Sequence, residues 1–306
     1  MLSDELRQVA AALDGSPVAA RVLAGGFSHQ TTLLTLAGGQ VVVRVGGPDH
    51  DIETAVMAAA RRHVPVPQVL RVLREAVPRS AMVLEYVPGT PLSQVLDEPG
   101  GLPLGTLGAE VGRVAAGIGS VTFDRPGFFA DDQLNVAPLP PWSQQLPEFG
   151  AHCMTTVPGS RLATATRTAW ADLCAAHAPA LVGVDDETRL VHADLNPKNI
   201  LVTRTDGGWQ VDAILDWEFS FAGCPYADAA NMVRFGADYP ADFLDGFRGA
   251  FAERVPSGVD WLYFGRVMDM FALSDLVTRP VGHPVADRAA MVIRRWVTEG
   301  VPESAG

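Results

Sequence analysis

The sequence predicts an α+β fold in two lobes: a small N-terminal lobe with an antiparallel sheet plus a helix, and a larger, mostly helical C-terminal lobe. Short extended segments broken by glycine and proline turns fill the first part of the chain, and segments with helical character fill the second. A turn-rich stretch at residues 88–91 separates the two. We therefore expect an N-terminal lobe over 1–87, a C-terminal lobe over 88–306 and a hinge at about 85–91.

The N-terminal elements follow from apolar, β-branched runs bounded by turns. Gly25 and Gly26, with Ser28 close behind, give a glycine turn between extended segments and fit a phosphate-holding loop. A helix is expected over 52–63, with Asp51 as its N-cap. The predicted strands cover residues 31–36, 41–45, 69–73 and 81–87.

The middle of the chain predicts helices joined by a long loop. The helices are expected over 106–118, 143–153 and 161–177, and the loop over 121–141. Phe128 and Phe129 in this loop either cover a ring of a bound molecule or pack in the core, and core packing is the commoner role.

The most informative stretch is residues 190–202, which read LVHADLNPKNILV. In it, His192, Asp194 and Asn199 match the spacing H-x-D-L-x-x-x-N of the catalytic loop of kinases. Asp216 follows an apolar strand further on, where kinases carry a metal-binding aspartate. A lone match occurs by chance in many chains, but several matches in one stretch predict phosphoryl transfer.

The segment between Asn199 and Asp216 is predicted to be a hairpin. Residues 200–202 and 209–215 read as strands, and the polar stretch 203–208 between them contains Asp206 and Gly207. Because a hairpin brings its two ends together, Asn199 and Asp216 would meet at one magnesium site.

Arg44 and Glu53 are predicted to form an ion pair. Arg44 stands near the end of a strand, where kinases place a lysine that contacts nucleotide phosphates, and Glu53 lies on the following helix. A guanidinium suits this position because it stays charged and pairs with both carboxylate and phosphate oxygens. Each residue alone also fits an ordinary exposed charge. The adenine of the nucleotide is expected to pair with the backbone at Glu85 and Val87.

On these residues the chain resembles the aminoglycoside phosphotransferase and choline kinase-like family, a small-molecule branch of the protein-kinase fold. The resemblance covers about residues 20–235. The matching positions are the turn at 25–28, Arg44, Glu53, the hinge at 84–89, the loop at 192–199, Asp216 to Glu218, and residues 225–228. The resemblance implies ATP or GTP as phosphate donor, Mg²⁺ as cofactor and a hydroxyl of a small molecule as acceptor.

The same resemblance implies roles for single residues. Asp194 would be the catalytic base, Asn199 and Asp216 the metal ligands, and Arg44 the phosphate anchor. His192 and Asp228 would support the catalytic loop rather than react. The separation of Asp216 from Asp228 is too short for the activation loop of a protein kinase, which argues against a protein substrate.

Acidic residues of the C-terminal lobe are candidates for binding the amines of an aminoglycoside. The resemblance points to this role, and Asp269 and Asp275, which lie in an otherwise apolar stretch, are the better candidates, together with Glu218. Acids scattered along helices are more often solvated faces.

Composition sets the broad class of the protein. The chain has 306 residues, 48% of them hydrophobic, and a formal net charge of -12. This charge argues against nucleic acid as a partner and is compatible with a cationic acceptor. Three cysteines without a C-x-x-C pattern, no apolar stretch long enough to span a bilayer and no signal-peptide pattern predict a cytoplasmic enzyme away from the membrane. A monomer and a homodimer both stay open.

Several functions stay open at this point. The leading one is inactivation of an antibiotic, aminoglycosides first, with macrolides and peptide antibiotics as further acceptors. A metabolite kinase acting on choline, homoserine, a fructosamine or a sugar would use the same chemistry. A non-catalytic nucleotide-binding or scaffold protein of the same fold is the alternative from another class.

Overall fold

The computed structural model describes residues 3–23, 30–47, 50–74, 80–98 and 103–302. Its N-terminal part is a five-stranded antiparallel sheet in the order β1-β2-β3-β5-β4, with one helix before the sheet and one inserted after its third strand. These elements are α1 (Asp4–Ala12), β1 (Pro17–Val22), β2 (Gln30–Leu36), β3 (Gly39–Val45), α2 (His50–Ala60), β4 (Val69–Leu73) and β5 (Ala81–Glu85). The predicted mixture of antiparallel sheet and helices is therefore confirmed.

The two faces of this sheet belong to different cores. Ala81 and Val83 of β5 pack with Val9 and Ala10 of α1 in a small core. Met82 and Leu84, which point the other way, join the large core that also contains the buried face of α2. Because side chains alternate along a strand, Arg44 of β3, between the small-core residues Val43 and Val45, lies on the α2 side.

A second, three-stranded sheet carries the predicted hairpin. It has the order β10-β9-β6, formed by β6 (Thr90–Pro91), β9 (Ile200–Thr205) and β10 (Gly208–Ile214). The turn is shorter than predicted, because strand pairing continues to Thr205 and Gly208 and leaves only Asp206 and Gly207 between the strands. Asp-Gly is a favoured two-residue turn.

The C-terminal part is mostly helical. A third small sheet, in the order β7-β11-β8, joins β7 (Gly127–Phe128), β11 (Phe221–Gly223) and β8 (Arg189–Val191). The helices are α3 (Leu92–Leu96), α4 (Gly105–Ile118), α5 (Trp142–Thr156), α6 (Thr164–His177), α7 (Tyr226–Val233), α8 (Ala241–Ala252), α9 (Trp261–Leu276) and α10 (Pro284–Glu299). In the described part of the chain, none of them is both long enough and apolar enough to cross a membrane.

Several predicted boundaries were wrong. Helix α2 begins at His50, so Asp51 lies in its first turn and is not the N-cap. Strand β5 ends at Glu85, two residues before the predicted end. Arg161 precedes α6, because its guanidinium donates to the backbone carbonyls of Val277 and Pro280. In the 121–141 loop Phe129 is buried, whereas Phe128 is half-exposed.

The N-terminal and C-terminal parts contact each other through the segment after α2, besides being connected by the chain at 86–89. After α2, Val64 and Val66 are buried in the large core. The amide of Ile214 donates to the carbonyl of Pro65 at 2.9 Å, which ties the end of β10 to this segment. The residue after β10 is therefore fixed relative to α2.

Helices α4 and α8 approach each other backbone to backbone. A Cβ placed on Gly108 would lie 2.0 Å from the carbonyl oxygen of Phe243, and one on Gly112 would lie 2.4 Å from that of Phe247. On the facing helix, a Cβ on Gly246 would lie 2.0 Å from the oxygen of Gly105. Gly108 and Gly112, which are unfavourable for a helix on their own, are therefore explained by this contact.

We expect Gly112→Ala to lower the free energy of unfolding by roughly 2–3 kcal/mol, since the added methyl forces the two helices apart. Gly249→Ala is the matched control, because that position lies on the same helix pair but has no atom within 4 Å of its Cβ site. Alanine there should raise the free energy of unfolding by about 0.5–1 kcal/mol through helix propensity. Urea denaturation followed by circular dichroism measures both, and equal effects would contradict the packing explanation.

Candidate active site

The loop between β8 and β9 is ordered by the ring of His192. The amide of Asp194 donates to His192 Nδ1 at 3.1 Å, so Nε2 carries the proton and donates to the carbonyl of Leu215 at 2.9 Å. Burial lowers the pKa of His192 to about 4, so the ring stays neutral near pH 7. His192 therefore links the loop to the end of β10.

Asp194 lies in this loop with its carboxylate held by two amides. Nδ2 of Asn196 donates to Oδ1 at 3.0 Å, and Nδ2 of Asn199 donates to Oδ2 at 2.9 Å. Burial raises the pKa of Asp194 to about 6, against the opposing charge of Arg234 and the two amide hydrogen bonds. A carboxylate with such a pKa can accept a proton near neutral pH.

Asp228, at the start of α7, binds the backbone of the same loop. Its two oxygens accept from the amides of His192 and Ala193 at 2.8 and 2.9 Å. Burial raises the pKa of Asp228 to about 7. Ala193 has a φ of 69°, a left-handed conformation that costs a non-glycine residue on the order of 1–2 kcal/mol. Asp228 thus contacts the loop at its most strained residue.

The hairpin brings Asp216 to the loop. Ile200 pairs with Ile214, and the amide of Leu215 donates to the carbonyl of Asn199 at 2.8 Å. Asp216 follows directly, with a φ of 67°. The next residue, Trp217, is buried against the ring of His192, with ring centroids 4.6 Å apart. Asn199 and Asp216 therefore lie on adjacent backbone segments, as the sequence predicted.

Arg44 is buried, with 5% of its surface exposed, and faces three carboxylates. Its guanidinium lies 2.5 Å from Glu53, 3.1 Å from Asp216 and 3.6 Å from Glu218. Glu53 Oε1 also accepts from the amide of Trp217 at 3.2 Å. Burial raises the pKa of Glu53, and the adjacent Arg44 opposes this rise. The predicted Arg44–Glu53 pair is therefore present and extends to the end of β10.

This site has the ligands for a hard cation such as Mg²⁺. One guanidinium stands against three carboxylates, so negative charge is in excess. Both hydrogen bonds of the Asn199 amide come from Nδ2, and within the described residues its carbonyl oxygen has no partner. The described chain holds no cluster of three or more His, Cys, Asp or Glu for a metal. Mg²⁺ commonly binds one or two carboxylates plus substrate phosphates, so Asn199 and Asp216 fit it.

The chain leaves the sheet after Glu85 and reaches β6 at Thr90. The amide of Glu85 donates to the carbonyl of Gln68 at 2.9 Å, and the Glu85 side chain lies 3.6 Å from Arg61. Val87 lies beyond the strand, and in the described residues its amide donates to no backbone carbonyl. The Val87 amide is therefore available to a ligand.

The other predicted residues fall into two groups. Gly25, Gly26 and Ser28 lie outside the described residues. The acids expected to bind amines are instead engaged by arginines: Asp269 accepts from Arg234 at 2.8 Å and 2.5 Å and is buried, and exposed Asp275 pairs with Arg279 at 3.0 Å. Asp269 is thus paired within the fold, and its role toward an acceptor amine stays a prediction.

Three residues of the site were missed from the sequence. Asn196 accepts from the amide of Lys198 as the cap of a 3₁₀ turn at Pro197–Asn199, besides contacting Asp194. Asn231 donates to the carbonyl of Ala193 at 2.9 Å, and the positive charge of Arg234 opposes the rise in the pKa of Asp194. A signal that could have found the last two is their spacing of three and six residues after Asp228, which places such residues near one side of a helix.

Comparison with known proteins places these residues in a family. The family model described as "Phosphotransferase enzyme family" matches residues 19–262. No curated protein matches the sequence.

Solved structures of similar fold include two phosphotransferases. A thermostable mutant of aminoglycoside phosphotransferase APH(4)-Ia, in a ternary complex with ADP and hygromycin B, is 19% identical, with a TM-score of 0.72 over 98% of this chain and 100% of that one. Macrolide 2'-phosphotransferase MphH from Brachybacterium faecium is 19% identical, with a TM-score of 0.63 over 94% of this chain and 98% of that one. At this identity the likeness concerns the fold.

We expect Arg44→Met to lower the free energy of unfolding by roughly 3–5 kcal/mol, because it leaves buried carboxylates without their cation. Arg74→Met is the matched control, since Arg74 pairs with Asp51, on the same helix as Glu53, but 61% of its side chain is exposed. Removing that pair should cost at most about 1 kcal/mol. Urea denaturation measures both variants, and similar losses would contradict the dominance of the buried cluster.

Proposed function

Because this chain belongs to the phosphotransferase enzyme family, we propose that it transfers the γ-phosphate of ATP to a hydroxyl of a small molecule, aminoglycoside-type antibiotics first. The observation that carries the proposal is the arrangement of Asp194, held by Asn196 and Asn199, beside a hairpin that returns to Asp216. A proton acceptor and two oxygen ligands for a cation are the parts that phosphoryl transfer requires.

In this proposal each residue has one task. The acceptor hydroxyl donates a hydrogen bond to Asp194, which takes its proton as the oxygen bonds to the γ-phosphorus and ADP leaves. Asn199 and Asp216 hold Mg²⁺, which neutralises charge on the phosphate oxygens when it is bound. Arg44, fixed by Glu53, contacts the phosphates. GTP is the alternative donor.

The proposal also assigns the groups that bind the nucleotide base and the boundary between the two lobes. The carbonyl of Glu85 and the amide of Val87 receive the base, and the chain at 85–91 acts as the hinge between a nucleotide-binding lobe over 1–87 and a catalytic lobe over 88–306. Gly25, Gly26 and Ser28, which lie outside the described residues, would contact the phosphates. His192 and Asp228 hold the catalytic loop through the bonds already described.

A second candidate acceptor is an uncharged hydroxylated compound such as a macrolide or a sugar. The pairing of Asp269 with Arg234 favours it, because this acid has no free charge for an ammonium group. Glu218 likewise lies near Arg44. A nucleotide-binding scaffold, the non-catalytic alternative, would not require the side-chain amides of Asn196 and Asn199 to hold the Asp194 carboxylate.

We expect Asp194→Ala to abolish acceptor-stimulated ADP release while nucleotide binding stays within about twofold. A loss of one positioned base typically costs on the order of 10²–10⁴ in rate. The measurement is coupled ADP release with Mg²⁺ and a panel of aminoglycosides, macrolides, choline, homoserine and sugars. Asp172→Ala, at an exposed position of α6, is the control. Binding of ATP without turnover by the unmutated protein on the whole panel would favour the scaffold.

The rate of transfer should depend on the ionisation of Asp194. Since its pKa in the free protein lies at about 6 and only the ionised form accepts a proton, kcat/KM for the acceptor should fall as the pH drops through 6 and level off above about 7. Steady-state rates between about pH 5 and 8, with circular dichroism at each pH to verify the fold, test this. A kcat/KM that stays constant down to the acid end of this range would show that the ionisation of Asp194 does not control the reaction.

A further inference from the structure

Helix α7 and the residue that caps its C-terminus carry three polar residues, of which the first two hydrogen-bond to the catalytic loop. Asp228, Asn231 and Arg234 are each three positions apart, so they lie along one side of the helix. Asp228 binds the amides of His192 and Ala193, and Asn231 donates to the carbonyl of Ala193 at 2.9 Å. Both backbone groups of Ala193 are therefore held by the same helix.

This matters because Ala193 is strained. Its φ of 69° is rare for a residue with a Cβ, and such a conformation persists only where the surroundings enforce it. The carbonyl of Ala193 belongs to the peptide that also contains the amide of Asp194. Holding this carbonyl therefore fixes the plane of the peptide from which the Asp194 side chain leaves the backbone.

Asn231 is suited to this task by its burial and by its chemistry. Only 6% of its surface is exposed, and within the described residues its Oδ1 is buried without a hydrogen-bond partner. The amide cannot turn over, since that would place oxygen against the carbonyl oxygen of Ala193. A carboxylate at this position would repel the carbonyl for the same reason.

Arg234 closes the row one turn further on. Its guanidinium is held by Asp269 of α9 through three hydrogen bonds of 3.0, 2.8 and 2.5 Å, and 7% of the side chain is exposed. Its positive charge opposes the rise that burial causes in the pKa of Asp194. The end of α7 is thereby fixed to α9, so Asn231 is presented from a rigid support.

We propose that Asn231 is a positioning residue for Asp194, acting through the Ala193–Asp194 peptide. This inference rests on the proposed function for its kinetic consequence, but its structural part is independent of it. Loss of the Asn231 amide leaves nucleotide binding intact and displaces the catalytic carboxylate from the acceptor hydroxyl. A displacement of about 1 Å costs on the order of a hundredfold in rate.

The test uses Asn231→Ala and Asn231→Asp, with Asn135→Ala as the control. Asn135 is an exposed asparagine whose amide donates to Asp131 in a turn of the 121–141 loop. The two Asn231 variants should lower kcat about tenfold to a hundredfold, with KM for ATP within about twofold. Asn135→Ala should change neither. A matching loss in the control, or a change in KM for ATP alone, would overturn the inference.

A double-mutant cycle with Ala193→Gly separates positioning from general stability. Glycine adopts a positive φ without strain, so the effect of Asn231→Ala on kcat should be at least about threefold smaller when it is combined with Ala193→Gly than when it is made alone. Equal effects in both backgrounds would show that Asn231 does not act through Ala193.

Hydrogen exchange gives a readout without turnover. Asn231→Ala should speed amide exchange in residues 192–196 at least about tenfold and leave β10 and α4 unchanged. Unchanged exchange in 192–196 would overturn the inference. If the unmutated protein transfers no phosphate, the proposed function fails, and this exchange experiment still decides the role of Asn231.

Discussion

One buried guanidinium, that of Arg44, connects the sheet, the inserted helix and the end of the hairpin. It reaches Glu53 of α2 and both acids that flank Trp217, and Glu53 in turn accepts from the Trp217 amide. Removing a charge from water is costly, so such an arrangement holds only when every partner is in place. The position of Asp216 relative to the sheet depends on this cluster, and the rest of the site depends on Asp216.

Two residues of the site have a backbone conformation with positive φ. Ala193 and Asp216 both have positive φ, and each is flanked by bonds that hold it: Asp228 and Asn231 at the first, Arg44 at the second. The His192 ring joins the two strained points through Leu215. Energy from packing and hydrogen bonding elsewhere maintains these conformations, which is typical of functional sites.

The local chemistry of the site was predictable from sequence, whereas its long-range pairs were not. The hairpin between Asn199 and Asp216, and the Arg44–Glu53 pair, follow from strand alternation and from motif spacing over short distances. The pairing of Asp269 was not predicted because its partner, Arg234, lies at the end of another helix, and no periodicity reveals which helices meet. Gly108 and Gly112 of α4 were likewise unexplained until α8 was seen against them. The predicted Asp51 cap was wrong because α2 begins one residue earlier.

The two hydrophobic cores differ in size, and this difference affects which part of the molecule unfolds first. Within the described residues, the face of the sheet that carries α1 is supported by a small core of buried apolar residues, while α2 packs into the large core with the C-terminal helices. Regions with little buried apolar area open at lower free energy than the whole molecule unfolds. On warming, α1 and the edge strand β1 should therefore fray before the rest, while Arg44, on the central strand β3, keeps its contact with Glu53 and α2 remains on the helical body.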